Sequence, residues 1–196
     1  MDSHVVPYRV LVIDDAEGAS GFGQVTRAEL ELHEFEVVHA TSWEQAEEAL
    51  EAQSFDFFMV DVNLQGHQDG LRVLAQLRER GYSQPIAVMT GNDDNLSEPI
   101  RNYTSALASG PVSFVDKNAS DTLAVARDMS NRVDGFRRAL RLMSEAGLGE
   151  EAIVVDGTTL SVAELLRPSK AHRQLERALR ESLSTLMLRI AGKDGR

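Results

Sequence analysis

The chain contains no cysteine, which excludes both a disulfide framework and a thiolate metal site. No apolar run approaches the ~20 residues that a membrane-spanning helix needs. The N-terminal stretch lacks a basic segment followed by an apolar one, so it does not have the form of a secretory signal. We therefore expect a soluble, cytoplasmic protein that makes no membrane contact.

Basic residues are also scarce, because 20 lysines and arginines stand against 31 acids and leave a net charge of −11. The acidic excess lies in residues 1–119, at −13, whereas residues 151–196 carry +2. A protein that binds nucleic acid neutralises several phosphates at once, and +2 is small for that purpose. We therefore do not expect nucleic acid as a partner.

Four short apolar runs each end on a polar side chain. Such runs are typical of strands buried on both faces of a parallel sheet, whose carboxyl ends meet at one edge. The runs and the residues that end them are 9–13 with Asp14 and Asp15, 57–60 with Asp61, 86–89 with Thr90, and 112–116 with Lys117. Carboxylates, a hydroxyl and an ammonium are thus predicted at one edge of one sheet.

Predicted helices alternate with predicted strands along the front of the chain. The strands cover 9–15, 36–40, 55–61, 85–90 and 111–116, and the helices cover 17–35, 42–53, 70–80 and 96–108. Ser42 and Gln45 have capping-box spacing, and Gly81 favours a helix end. The alternation predicts an α/β fold with a five-stranded parallel sheet in the flavodoxin-like order 2-1-3-4-5.

A different pattern follows and predicts a C-terminal, mostly helical extension. Its expected elements are one long helical stretch over 121–145, with Asp134-Gly135 as a point of fraying or bending, a hairpin over 153–160 around Asp156-Gly157, a short helix after a capping box of Ser161 and Glu164, and a last helix over 170–191. We predict two domains, 1–130 and 131–196.

Apolar residues recur at heptad spacing in the long predicted helix, which is typical of a coiled-coil seam. The seam begins at Ala126, and its candidate interface residues are Met129, Val133, Phe136, Leu140 and Met143. Two interpretations stay open. The seam joins two copies of the chain in a homodimer, or it packs on its own domain.

The three carboxylates predict a cation site. Asp14, Asp15 and Asp61 would repel one another and raise one another's pKa unless a cation balanced them. Oxygen ligands of this kind suit Mg²⁺, which also accepts phosphate oxygens. Lys117 would then neutralise a phosphoryl oxygen, Thr90 would donate its hydroxyl, and Asp61 would be the nucleophile of an aspartyl-phosphate. Each residue alone is more often a cap, a turn residue or a solvated strand end; the combination favours the site.

Residues 8 to about 130 resemble the receiver domain of response regulators in two-component signalling, of the chemotaxis type. The motifs that carry the resemblance are Val-Leu-Val-Ile-Asp14-Asp15, Phe-Met-Val-Asp61, Val-Met-Thr90-Gly91 and Phe114-Val-Asp-Lys117. The resemblance implies that Asp61 accepts a phosphoryl group from a sensor histidine kinase or a phosphotransfer protein.

The resemblance also implies a ligand set and a switch. Mg²⁺ would be bound by Asp15, Asp61 and the backbone carbonyl of Asn63, with Asp14 helping through water. Thr90 and Phe114 would form the switch pair, in which Phe114 moves inward when Thr90 moves to hold the phosphoryl group. An ordinary core aromatic is the alternative role of Phe114.

The chain departs from the receiver pattern in the interval between Thr90 and Lys117, which is longer than usual, in the glycine-rich start of its first helix, and at three residues near the site. Gln65 and Asn118 stand where receivers usually have proline, and Gly70 follows Asp61 by nine residues rather than eight. None of these departures removes a catalytic group. They do motivate an alternative, a degenerate receiver that works as a phosphorylation-independent scaffold.

The functional hypothesis is a response regulator that relays phosphorylation of Asp61 to a C-terminal module for protein interaction or dimerisation. Its own catalysis would be limited to self-phosphorylation and autodephosphorylation, since residues 145–196 show no known output motif. A DNA-binding regulator is a further alternative. A phosphohydrolase is the least favoured, because Asn63 stands where that class needs a second aspartate.

Overall fold

A computed structural model describes residues 7–16, 22–33, 35–64, 69–90, 112–117, 122–155 and 158–167. For residues 22–25, 69, 114–116 and 155 the description covers the backbone alone. Contacts divide the chain into two compact units, Met1–Val133 and Asp134–Arg196.

The first unit is built on a parallel sheet. Its strands are Tyr8–Ile13 (β1), Phe35–Ala40 (β2), Phe57–Asp61 (β3), Ile86–Thr90 (β4) and Val112–Asp116 (β5). They pair in parallel in the order β2-β1-β3-β4-β5. The predicted five-stranded sheet and its flavodoxin-like order are confirmed.

Apolar side chains cover both faces of this sheet. Along β1, Leu11 and Ile13 belong to one core cluster, whereas Val10 and Val12 belong to the other. The helices of the first unit are Phe22–Glu31 (α1), Trp43–Ala52 (α2), Asp69–Glu79 (α3) and Thr122–Asn131 (α4). Burial on both faces explains why the central strands β3 and β4 and most of β1 are continuous apolar runs without polar alternation.

Two helix ends follow the predicted chemistry with one change. Ser42 caps α2 by accepting a hydrogen bond from the Gln45 amide, 3.3 Å away. Oε1 of the Gln45 side chain accepts a hydrogen bond from the backbone amide of Thr41, at 2.9 Å, and not from that of Ser42. After α3, Gly81 has a φ of 94°, the left-handed conformation that glycine adopts without strain.

The second unit contains a helix, a hairpin and a short helix. Its elements are Gly135–Met143 (α5), a π-helical turn over Ser144–Leu148, an antiparallel pair of Ala152–Val155 (β6) and Thr158–Ser161 (β7), and Val162–Leu166 (α6). Leu140, Val162 and Leu165 form its buried core. The predicted hairpin is confirmed, and so is the capping box of Ser161 and Glu164.

The prediction of one continuous helix over 121–145 is wrong. Helix α4 ends at Asn131, and α5 begins at Gly135. The Asp134 carboxylate accepts a hydrogen bond from the Phe136 amide at 3.0 Å, so it caps a new helix where the heptad pattern continues. The break separates Ala126 and Met129, in the first unit's core, from Leu140 in the second unit's core.

The predicted helices over 96–108 and 170–191 and the Asp156-Gly157 turn lie outside the described residues. Among the helices that are described, none has the length and apolar character needed to cross a bilayer.

Candidate functional site

Three carboxylates meet at the carboxyl ends of neighbouring strands β1 and β3. One oxygen from each of Asp14, Asp15 and Asp61 lies within 4.8 Å of the others. Asp14 is fully buried and Asp61 is 6% exposed, whereas Asp15 is half-buried. Strand pairing brings these acids together because β1 and β3 run side by side in register.

Lys117 links two of the carboxylates. Its Nζ atom lies 2.7 Å from Asp14 Oδ2 and 2.8 Å from Asp61 Oδ2. The backbone amide of Lys117 donates to the carbonyl of Thr90 at 2.7 Å, which holds the residue beyond the end of β5. One ammonium is thus shared by two buried acids.

Asp61 is held in a charged but poorly solvated position. Its Oδ1 accepts a hydrogen bond from the backbone amide of Asn63 at 3.1 Å. Burial raises the pKa of Asp61 above its usual value, and the charge of Asp14 adds to that rise, although Lys117 and the Asn63 amide oppose it. The ionised carboxylate therefore gains from any further positive charge that enters the cluster.

Asp14 is fixed through both its side chain and its backbone. Its Oδ1 accepts from the Ala16 amide at 2.9 Å, and its amide donates to the carbonyl of Ala40 at 3.0 Å. Nε2 of His39 lies 2.7 Å from the carbonyl oxygen of Asp14. Sequence reasoning missed His39, although the predicted strand order already put the end of β2 beside the end of β1.

Gly70 packs against the backbone of the site. Its amide donates to the carbonyl of Val62 at 3.1 Å. A Cβ atom at this position would lie only 1.7 Å from the carbonyl oxygen of Asp61. The first turn of α3 therefore approaches β3 at a distance that only glycine permits.

The remaining predicted site residues have different surroundings. Thr90 ends β4 and is buried, and Asn63 is exposed just after β3. Phe114 lies in β5 opposite Val88, and its side chain is outside the described part of the chain. The structure thus joins the three acids and Lys117 directly, and it joins Thr90 and Asn63 to them through their backbone atoms.

The predicted interface residues are largely covered within their own units. Met129 is 1% exposed in the first unit's core, and Leu140 is 2% exposed in the second. Val133, Phe136 and Met143 are partly buried against those cores. A contact between two copies through these five residues stays a prediction.

A cavity of about 280 Å³ opens beside residues 62–64, the segment that follows β3. Trp43 and Ser42 line it from the start of α2, Leu64 lines it from the end of that segment, and Arg72 lines it from α3. The guanidinium of Arg80 lies 5.1 Å from the centre of the Trp43 ring and forms an ion pair with Glu47.

The donor set fits a hard divalent cation. All three carboxylates offer oxygen, and Lys117 supplies a single positive charge among them. Magnesium binds through a few carboxylates and keeps other positions for water or phosphate oxygens. These residues therefore match the magnesium site that the sequence predicts.

The family model of the response regulator receiver domain matches residues 10–127. No curated protein matches the sequence significantly.

Solved receiver structures resemble the fold at low sequence identity. A CheY-like receiver domain protein from Methanospirillum hungatei is 18% identical with a TM-score of 0.52, covering 68% of this chain and 98% of that one. The chemotaxis protein CheY4 of Vibrio cholerae is 19% identical with a TM-score of 0.51, covering 65% of this chain and 99% of that one. The receiver domain of response regulator 1452 of Francisella is 20% identical with a TM-score of 0.51, covering 64% and 98% respectively.

Proposed function

Since the chain belongs to the response regulator receiver family, we propose that it accepts a phosphoryl group on Asp61 with Mg²⁺ as cofactor. The donor would be a sensor histidine kinase or a phosphotransfer protein of the same cytoplasm. The observation that carries the proposal is the shared ammonium of Lys117, which lies 2.7 Å from Asp14 and 2.8 Å from Asp61.

In the proposed reaction, a carboxylate oxygen of Asp61 forms a bond to phosphorus while the bond from phosphorus to the leaving group breaks. The leaving group takes the electron pair. Lys117 moves its ammonium from Asp61 to an oxygen of the incoming phosphoryl group, while its bond to Asp14 anchors it. The Thr90 hydroxyl donates to a second phosphoryl oxygen.

Asp15, Asp61 and the carbonyl of Asn63 would hold the Mg²⁺, with Asp14 assisting through water, and the bound ion would neutralise the phosphoryl oxygens. The Asn63 amide keeps Asp61 Oδ1 oriented from 3.1 Å. Burial of Asp14 and Asp61 limits competing water and strengthens each charge interaction.

The output part of the proposal is a protein contact. Thr90 and Phe114 would relay the phosphorylated state as the switch pair, and residues 131–196 would act through protein interaction, including a homodimer. The modest charge of +2 over residues 151–196 favours a protein partner over nucleic acid.

Acid-labile phosphate tests the proposal directly. The full chain is treated with acetyl phosphate and Mg²⁺, and bound phosphate is measured before and after acid. We expect labelling of the wild type and of the control variant Asp56→Asn. Asp56 is the acid that directly precedes β3, at the opposite end of the strand from Asp61. We expect no labelling of Asp61→Asn.

Labelling that persists in Asp61→Asn would contradict the assignment of the acceptor. A wild-type chain that takes up no phosphate and binds no beryllofluoride would instead support the scaffold alternative. Sedimentation with and without beryllofluoride tests the dimer, which a strictly monomeric chain in both states would refute.

A further inference from the structure

We propose that His39 is a positioning residue for the cation site, because its imidazole holds the peptide that joins Asp14 to Asp15. This inference rests on the proposed function, since it assumes that these acids bind Mg²⁺. It adds a residue outside the acid cluster itself, contributed by β2.

The hydrogen bond defines the state of the imidazole. Nε2 of His39 lies 2.7 Å from the carbonyl oxygen of Asp14, and a carbonyl oxygen can only accept. Nε2 therefore carries the proton and donates it. The same donor is present in the neutral and the cationic imidazole, so the contact does not depend on a change of charge.

The position of His39 near the end of β2 explains why a side chain, and not the backbone, donates the hydrogen bond to the Asp14 carbonyl. Strand β2 ends at Ala40, whose carbonyl accepts the last ladder bond from the Asp14 amide at 3.0 Å. Ser42 then caps α2, so the chain turns away from the sheet. The imidazole reaches the Asp14 carbonyl at the point where the regular strand ends.

Fixing this carbonyl orients the next residue. The peptide unit is planar, so the direction of the Asp14 carbonyl determines where the chain places the amide and the Cα of Asp15. Asp14 is otherwise held by the Ala16 amide and by Lys117. Asp15 lies beyond the end of β1, and its carboxylate belongs to the acid cluster. Its orientation is therefore coupled to His39.

The test measures Mg²⁺ binding by calorimetry in the full chain, together with the melting temperature. His39→Met keeps the approximate volume but removes the donor, whereas His39→Gln keeps an N–H donor. His33→Met is the matched control, because His33 is exposed at the end of α1. We expect the dissociation constant for Mg²⁺ to rise about tenfold in His39→Met and to stay within about threefold of wild type in His39→Gln and His33→Met.

Two results would overturn the inference while leaving the proposed function intact. One is a His39→Met chain that binds Mg²⁺ with wild-type affinity. The binding is measured well below the melting temperature of that variant, so a lower melting temperature does not change this conclusion. The other is a His39→Gln chain that loses as much affinity as His39→Met. A wild-type chain that binds no Mg²⁺ would overturn the proposed function and the inference together.

A measurement on the wild type keeps the inference testable should His39→Met fail to fold. Nitrogen-15 NMR of the histidine side chains distinguishes the two neutral tautomers. We expect the Nε2–H tautomer for the neutral imidazole of His39. The Nδ1–H form would overturn the inference, because Nε2 would then have no proton to donate.

Discussion

The two ends of strands β1 and β3 both carry buried charge, but the charges have different partners. At the amino ends, the Asp56 carboxylate accepts a hydrogen bond from the Arg9 backbone amide at 2.8 Å. The guanidinium of Arg9 reaches Glu36 at 2.9 Å. At the carboxyl ends, Asp14 and Asp61 share the side chain of Lys117.

This difference separates a structural anchor from the proposed phosphorylation site. A backbone amide cannot leave its strand, so the bond between Asp56 and Arg9 fixes the start of β1 against the start of β3. The ammonium of Lys117 sits on a flexible stem and can follow an incoming anion. Similar residue types therefore stabilise the sheet at one end and form the proposed phosphorylation site at the other.

The largest expected effect comes from removing the mobile charge. We expect Lys117→Met to slow phosphorylation by acetyl phosphate about 100-fold, because one donor to the transferring group is lost. Arg9→Met is the control at the opposite end, and we expect its rate to stay within about threefold of wild type. Rates of acid-labile phosphate formation measure both. Equal losses in the two variants would remove the distinction between the ends.

A second expected effect concerns the backbone at the carboxyl end. Gly70→Ala should lower the free energy of unfolding by about 2–3 kcal/mol, because its Cβ would overlap the Asp61 carbonyl. Gly135→Ala is the matched control, since nothing lies within 4 Å of its Cβ position. Urea unfolding followed by circular dichroism measures both. A Gly70→Ala chain as stable as wild type would contradict the close approach.

Changing one acid at each end should shift stability in opposite directions. Asp56→Ala leaves the partly buried Arg9 amide without its carboxylate acceptor, so we expect a loss of about 2 kcal/mol. Asp61→Asn removes a buried charge that burial and Asp14 disfavour, so we expect a gain in the free energy of unfolding without metal. Urea unfolding in metal-free buffer compares them. If both variants changed the free energy of unfolding in the same direction, the contrast between the two ends of the sheet would be contradicted.

The smallest expected effect is the pH dependence of the stability that Asp61→Asn gains over the wild type. The pKa of Asp61 is raised by folding, so its protonated form is favoured in the folded chain. The raised pKa stabilises the wild-type fold at a pH below the pKa that Asp61 has in the unfolded chain. This stabilisation is lost as the pH rises through the pKa that Asp61 has in the folded chain. The advantage of Asp61→Asn should therefore grow from acidic to neutral pH. An advantage that is constant with pH would contradict the raised pKa.

The sheet and the acid cluster were predictable because their signals are local. Each apolar run ends on its own polar residue, and parallel strands bring those ends to one edge. The contacts of His39 and Gly70 were missed because they depend on how β2 and α3 approach the site, which no spacing along the chain records. The sequence marked Asp134-Gly135 as a point of fraying or bending, but the full break was not predicted because a heptad pattern continues across it, while a single capping side chain decides the helix end.

Trp43 is the only tryptophan in the chain, so it can serve as an intrinsic fluorescent probe of its surroundings. Its ring packs under the cation of Arg80 and shares a cavity wall with Leu64, which follows Asp61 in the chain by three positions. Indole emission changes with nearby charge and with contact to water. A ligand at Asp61 that moved Leu64 would therefore change the emission of the unmodified protein, so Trp43 fluorescence tests for such a movement without a label.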